Sequence, residues 1–335
     1  MVEGAFSPRR IGRLMVKRKS LGSLLKIILS VGLLVVVLRQ VGWQQVWQTL
    51  SGARLPYLVV AFGLSLLGIG VRAYRWKALL DALGIHVSLA RLTSLYFVGT
   101  FFSDFLPTGV GGDVVRAYEV AQQTENRAGA VGTVLVDRAT GLLVLFLMAS
   151  FALLFGYRLV GSQIVAVILL LTAVSWGGCI LLMRRDWLRR LGLLRWVEKV
   201  RQVQEVYEAV RACGSRAIAV ALGVSFVLNV LLIAINYLIA LSLGVQVSIW
   251  YFLLFVPIIS FLLVLPVSLS GWGVREGGYV YLFAQAGVAA PLALTMSLLV
   301  QSFQLALGLI GAVIYIGEGM RGLRTRDRFG RNDRR

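Results

Sequence analysis

Along this chain, apolar and polar positions alternate on the scale of a membrane's thickness rather than of a helical turn. Runs almost free of charge occupy about 21–38, 55–71, 131–155, 160–183, 217–243 and 291–316, and Lys and Arg collect between them. Each run has the roughly 17–25 residues that a helix needs to cross a hydrocarbon core, so six full spans are expected. Two further apolar runs are broken. The first, 92–106, would reach only about 22 Å as a helix against a core of about 30 Å. It ends at Pro107, and the chain then passes through Gly109, Gly111 and Gly112 into polar sequence. The second, 249–265, breaks at Pro266, passes Gly271 and Gly273, and resumes as a short stretch at 277–288.

The two breaks resemble each other. Leu106, Pro107, Gly112, Val115 and Arg116 fall in register with Leu265, Pro266, Gly271, Val274 and Arg275, an offset of 159 residues. Gly/Pro-broken apolar segments at matching places in two halves are the strongest sequence pointer to a transport site. The offset also carries residue 131, where one long run begins, to 290, beside Pro291 at the start of another.

The charge pattern orders these runs. Six Lys/Arg precede 21–38, nine lie in 184–216, and seven Arg close the chain from Arg321 to Arg335. By the positive-inside rule all three segments are cytoplasmic, with Trp43 and Trp47 as interface anchors on the opposite side. Arg72, Arg75, Lys77 and Arg91 read as a fourth cytoplasmic segment. Between it and 184–216 the number of crossings must be even, so 92–120 is expected as a re-entrant hairpin from the cytoplasm, its tip at Pro107–Gly112. Irregular backbone at that depth is tolerated only against protein or a wet cavity. For 249–288, a hairpin from outside and two short spans satisfy the parity equally. The expected fold is therefore all-α and integral to the membrane. It has six full spans and two re-entrant hairpins in an inverted repeat, about 55–155 and 217–316. A basic N-terminus (1–20), a basic linker (184–216) and an Arg-rich tail (317–335) complete the chain. The segment Trp187 to Arg211 has the pattern of a helix lying on an anionic leaflet.

Composition narrows the classes of function. The chain has 335 residues, 58% hydrophobic, with a formal net charge of +19 and a mean hydropathy of +0.82. The positive charge follows the loops, which argues for the positive-inside pattern and against nucleic-acid binding. Cys179 and Cys213 fall in unlike environments, so no disulfide is expected, and the lone His86 has no partners for a metal site. The glycine-rich tip lacks the Gly-Lys-Ser/Thr of a P-loop. No cofactor, metal or catalytic constellation is expected, and the chain reads as a non-enzyme.

Charges inside apolar surroundings each require a partner or a purpose, since one at mid-membrane costs roughly 2.5–3.5 kcal/mol on insertion scales. The candidates are Asp113 and Arg116 after the first tip, Asp137 and Arg138 early in a span, and Arg275 and Glu276 after the second tip, with Asp104 just before the first. Two readings stand. In one the charges neutralise one another, Arg116 with Asp113 and Asp137 with the first hairpin. In the other Arg116, Arg138 and Arg275 converge on a lipid phosphate, for which the guanidinium fork is well shaped. Asp113, Asp137 and Glu276 then orient or gate. Pro107, Gly111, Gly112, Pro266, Gly271 and Gly273 shape the tips. Gln301, Gln304, Asn229 and Asn236 read as hydrogen-bonding groups between spans.

Three stretches carry a family resemblance: 106–118 with Gly112-Asp113-Val114-Val115-Arg116, 134–142 with Asp137-Arg138-Ala139-Thr140-Gly141, and 266–277 with Gly271-Trp272-Gly273-Val274-Arg275-Glu276. Together they resemble the lysylphosphatidylglycerol synthase transmembrane region family, the flippase-like membrane domain of multiple-peptide-resistance-factor proteins. Asp137-Arg138 stands where the family commonly has Glu-Arg. The resemblance implies a multi-pass protein of a prokaryotic inner membrane, both termini cytoplasmic. It implies movement or binding of aminoacylated or anionic phospholipids, or of polyprenyl-phosphate sugars, between leaflets. About twenty residues (317–335) follow the last expected span, so the soluble aminoacyl-transferase domain of the full synthases is not expected and lysyl transfer by this chain is doubtful. The alternatives are a non-catalytic subunit docking a glycosyltransferase or lipid synthase, and a membrane-embedded lipid-modifying transferase. Homo-oligomerisation is left open.

Overall fold

The computed structural model describes residues 43–105, 111–183, 201–264, 268 and 270–332. The expected first span at 21–38, the tip residues Pro107 and Pro266, and most of the leaflet helix expected from Trp187 lie outside the described residues. Within them the chain is helical, without strands. The helices are α1 (Trp43–Ser51), α2 (Leu55–Ala82), α3 (Leu89–Phe105), α4 (Gly111–Ala121), α5 (Arg127–Gly156), α6 (Ser162–Met183), α7 (Arg201–Ser242), α8 (Ile249–Val264), α9 (Val274–Ala284) and α10 (Ala290–Asn332). A 3-10 turn, Tyr157–Leu159, follows α5.

Five helices are long and apolar enough to cross a membrane: Leu55–Ala82, Arg127–Leu159, Ser162–Ile180, Arg211–Ser242 and Ala290–Glu318. They coincide with five of the six expected spans. The protein is thus an all-α, multi-pass membrane protein. Gly214, with φ of 72° and ψ of 167°, interrupts α7 and sets the span apart from the helical stretch before it. One boundary differs from expectation. α2 does not end near residue 71 but runs to Ala82, carrying Arg72, Arg75 and Lys77 within the helix. Pro56 opens it in the first turn, where its missing N–H costs nothing. The polar residues continue it because Arg75 is buried and finds partners inside the protein. The stretch around the expected anchors Trp43 and Trp47 forms α1.

α3 and α4 fill the place of the first broken run, and α8 and α9 that of the second. At about 1.5 Å per residue, the 17 and 11 residues of α3 and α4 reach roughly 25 and 16 Å, short of a 30 Å core. α3 packs on α4, and α8 on α9. A Cβ added to Gly112 would lie 2.0 Å from the Gly99 carbonyl oxygen, so the first pair approaches at a distance only glycine permits.

Both halves run long, short, short, long: α2–α3–α4–α5 and α7–α8–α9–α10. Their contacts are exchanged. α3 packs on α10, the closing helix of the other half, and α8 packs on α5, while α2 and α7 lie along each other. The turns after α2 and α7 match as well. Gly84 (φ 71°) and Gly244 (φ 75°) each occupy the left-handed conformation. The following N–H of Ile85 bonds to the Leu80 carbonyl, and that of Val245 to the Ala240 carbonyl, each at 3.0 Å. This is the Schellman closure of a helix end. Leu83-Gly84-Ile85-His86-Val87-Ser88 and Leu243-Gly244-Val245-Gln246-Val247-Ser248 are therefore a second repeated motif, at an offset of 160.

The α3–α10 contact is as tight as the α3–α4 one. A Cβ on Gly311 would sit 2.0 Å from the Phe97 carbonyl oxygen, whereas one on Gly177 of α6 would meet nothing within 4 Å. Gly311→Ala should therefore destabilise by about 1–3 kcal/mol through forced separation of the two helices. Gly177→Ala should stay within about 0.5 kcal/mol of the parent. Thermal unfolding of both variants in detergent checks the contrast; equal melting temperatures would contradict the packing described.

Candidate functional site

Charged residues from both broken segments line one cavity of about 630 Å³ between the helix pairs. That is the size of a small-molecule site. Five arginines line it, Arg72, Arg75, Arg116, Arg138 and Arg275, with three aspartates, Asp104, Asp113 and Asp137.

Asp137 is the centre of the arrangement. It lies on α5, only 2% exposed. Its Oδ1 accepts from Arg75 Nε at 2.6 Å and its Oδ2 from the Tyr96 hydroxyl at 2.8 Å. Arg116 Nη1 approaches Oδ2 at 3.9 Å. Arg75 also donates to Ser225 Oγ of α7 at 2.8 Å. One carboxylate thereby ties together α2, α3, α4 and α5, and through Arg75 reaches α7. A buried charge is tolerable when it is paired and its remaining lone pairs are hydrogen-bonded, and both conditions hold here.

Arg116 sits in an aromatic bracket. Its guanidinium carbon is 3.9 Å from the Tyr96 ring centroid and 5.0 Å from that of Trp76, within cation–π range. Trp76 is fixed in turn by its Nε1–H bond to Thr133 Oγ1 at 3.0 Å. Arg116 also pairs with Asp113 on its own helix, and Asp113 pairs with Arg138 of α5. Neighbours in sequence do not pair: Asp137 takes Arg75 and Tyr96, not Arg138.

Arg72 and Arg275 differ from the other three. Neither makes an ion pair or hydrogen bond among the described residues, and Arg275 Nη1 is buried without a partner. Both line the cavity. The arginines there consequently divide into three held by carboxylates and two that are not.

The second break closes onto the first. Ser270, at φ of 48°, donates to the Ser103 and Asp104 carbonyls at 2.8 and 3.1 Å. These are carbonyls of the last turn of α3, which have no partner within the helix. Gly271 (φ 83°) and Gly273 (φ 81°) shape the turn before α9. A Cβ on Gly271 would also lie 2.4 Å from Leu263 Cδ2. At the first break, Gly112 N–H donates to Ser103 Oγ at 3.1 Å, and Gly111 begins α4, buried.

Of the residues singled out in the sequence, Asp113, Arg116, Asp137, Arg138 and Arg275 line the cavity, with Gly112 and Gly271 in its wall. Glu276 does not line it. It is fully buried, and one carboxylate oxygen accepts from the Gly273 N–H at 2.6 Å, closing the start of α9. Asn229 and Asn236 bond within and between helices, to the Gly141 carbonyl at 3.1 Å and the Leu232 carbonyl at 2.8 Å. Asn236 also accepts from the Tyr279 hydroxyl. Gln304 reaches the cavity, whereas the Gln301 amide is buried with neither end bonded. Arg72, Arg75 and Tyr96 are site residues that sequence reasoning missed. The signal available for the arginines was their spacing of three on a helix, which puts both on one face. Among the described residues, no group of three His, Cys, Asp or Glu could hold a metal ion, and no His or Cys lines the cavity. The cluster of guanidinium groups is of the kind that binds an anion.

Asp137→Asn should cost about 3–5 kcal/mol by leaving Arg75 buried without its carboxylate. Arg275→Gln removes no pair and should leave stability within about 0.5 kcal/mol. Melting temperatures in detergent compare the two; a larger loss from Arg275→Gln would contradict the division of the arginines.

The family model described as Lysylphosphatidylglycerol synthase TM region matches residues 23–312 of the chain. No curated protein matches it.

Proposed function

The chain belongs to the lysylphosphatidylglycerol synthase TM region family, and on that premise we propose that it carries a phosphate-bearing lipid between membrane leaflets. The observation behind this reading is the cavity between the two broken segments, lined by Arg72 and Arg275, neither of them in a direct ion pair among the described residues, with Arg275 Nη1 buried and unpartnered. A lipid phosphate supplies the missing anion. Bonds between a guanidinium and a phosphate are charge-assisted and can be bidentate, and a partly dry cavity strengthens them. The substrate class is an anionic or aminoacylated phospholipid or a polyprenyl-phosphate sugar.

In this reading α3–α4 and α8–α9 are re-entrant hairpins, dipping from the cytoplasmic and outer sides of a prokaryotic inner membrane. The halves form an inverted repeat, with both termini cytoplasmic. That architecture supports alternating access around a midplane site. The exchanged contacts of α3 with α10 and α8 with α5 support it, since a pseudo-twofold relation swaps them. Transport then parts the tips at the Ser270 contact on one side while the other stays closed. Asp113, which shares Arg116 and Arg138, can release Arg138 to a passing phosphate without leaving Arg116 unpaired. The chain acts as a carrier that leaves lipid chemistry unchanged, and its partners are membrane lipids.

The test is reconstitution into liposomes with fluorescent phosphatidylglycerol or a polyprenyl-phosphate sugar, read by an impermeant quencher. The wild-type protein should speed equilibration between leaflets, with lipid masses unchanged. Arg72→Gln and Arg275→Gln should each slow it roughly ten- to a hundredfold, the loss of one charge-assisted bond of about 1.5–3 kcal/mol. No acceleration with any lipid would reject the carrier and favour a subunit that docks a synthase or glycosyltransferase. A change in lipid mass would favour a transferase.

A further inference from the structure

A second, smaller cavity of about 90 Å³ lies between α2, α7 and α10. Arg72, Leu228, Leu232 and Gln304 line it and also line the large cavity, so the two lie side by side. Beyond those shared residues the wall is apolar: Ile69 of α2, Leu231 and Ile235 of α7, Val300, Phe303 and Leu307 of α10. The two polar side chains farther in, Ser65 and Asn236, have nothing to offer a guest. The Ser65 hydroxyl donates to the Ala61 carbonyl at 2.9 Å. The Asn236 amide donates to the Leu232 carbonyl and accepts from Tyr279.

The helices leave room here for a reason visible in their packing. α2 and α7 lie along each other, but α10 meets each of them at only a few positions. Gly68 faces the gap: it is buried, yet a Cβ built on it would meet nothing within 4 Å. Most of the wall is half-buried rather than sealed, and the outer faces beside it, Leu67 of α2 and Val230 of α7, are exposed and apolar.

We propose that this groove holds the first part of the hydrocarbon chain of the transported lipid and is the lateral opening through which that chain reaches the bilayer. The inference rests on the reading of the large cavity as a phosphate site. Arg72 stands where the polar cavity becomes apolar, so a phosphate held there has its head group on the arginine side and its chain on the leucine side. A chain kept in the polar cavity would forfeit the apolar burial that the groove offers. The apolar groove also argues against a water-soluble phosphate ester as the cargo, because the groove would then hold nothing suited to it.

The experiment has three arms, all on the full chain in lipid. Binding of sn-glycerol 3-phosphate in nanodiscs, by calorimetry, reads the polar cavity alone. Leaflet equilibration of fluorescent phosphatidylglycerol in liposomes reads the passage of head group with chain. Phosphatidylglycerol with a photoreactive group near the start of its acyl chain marks where the chain lies. Gly68→Phe fills the groove and should bind glycerol phosphate within twofold of the wild type. It should slow lipid equilibration at least tenfold. In the wild-type protein the photoreactive chain should label 65–69 and 300–307. Unchanged equilibration in Gly68→Phe overturns the groove and leaves the phosphate site intact. Failure of the wild type to bind glycerol phosphate overturns the phosphate site itself. Should Gly68→Phe fail to fold, the labelling decides. Adducts absent from both segments, as when residues 21–38 of this chain fill the gap, overturn the proposal.

Discussion

A carboxylate buried among apolar helices must be neutralised where it stands, and the interior of this protein is built around how Asp137 meets that requirement. Its two oxygens are taken by Arg75 and Tyr96, with Arg116 close behind. Because these partners come from different helices, neutralising one charge fixes the relative positions of α2, α3, α4 and α5. The second consequence is electrostatic. Arg75 and Arg116 are committed to the protein itself, and Arg138 is paired with Asp113. What the cavity offers a guest is set by the cations left over, Arg72 and Arg275.

The two broken segments add a mechanical constraint. Their glycines serve different ends: Gly112 lets two helix backbones touch, and Gly271 and Gly273 hold left-handed turns that aim α9. The segments then meet through Ser270, which satisfies carbonyls at the end of α3 that the helix itself leaves open. Gly311 seats α10 on α3 as closely as Gly112 seats α4, and α8 packs on α5, so each broken segment is held against the closing helix of the other half.

Much of this was legible in the sequence, for a simple reason. Long chargeless runs have one stable solution in a bilayer, a helix, and Pro–Gly breaks within shorter runs mark where helices stop. Asp113, Arg116, Asp137, Arg138 and Arg275 were singled out this way, and the cavity brings those five charges together. Arg72 and Arg75 were missed because basic residues at the end of an apolar run look like the start of a cytoplasmic loop. Only the partners of Arg75, 62 and 150 residues away, show that the helix continues. Pairing is also nonlocal, so the sequence left two readings open, mutual neutralisation and anion binding. The structure shows the first for Arg116 and Arg138, and for Arg75 as well, while Arg275 keeps a buried Nη1 without a partner. Glu276 illustrates the opposite limit: its place in a charged motif suggested the cavity, but its local role is to close the first turn of α9. The matching turns at Gly84 and Gly244 were visible in the sequence as a second repeat and would have strengthened the first.

The account stands or falls on which arginines meet the lipid. The most direct measurement is an electron cryomicroscopy map of the protein in nanodiscs containing phosphatidylglycerol. The account predicts phosphate density within hydrogen-bonding distance of Arg72 or Arg275, with Asp137 still on Arg75 and Tyr96. A phosphate seated on Arg75 and Arg116 with Asp137 displaced, or a cavity that excludes lipid phosphate altogether, would contradict it.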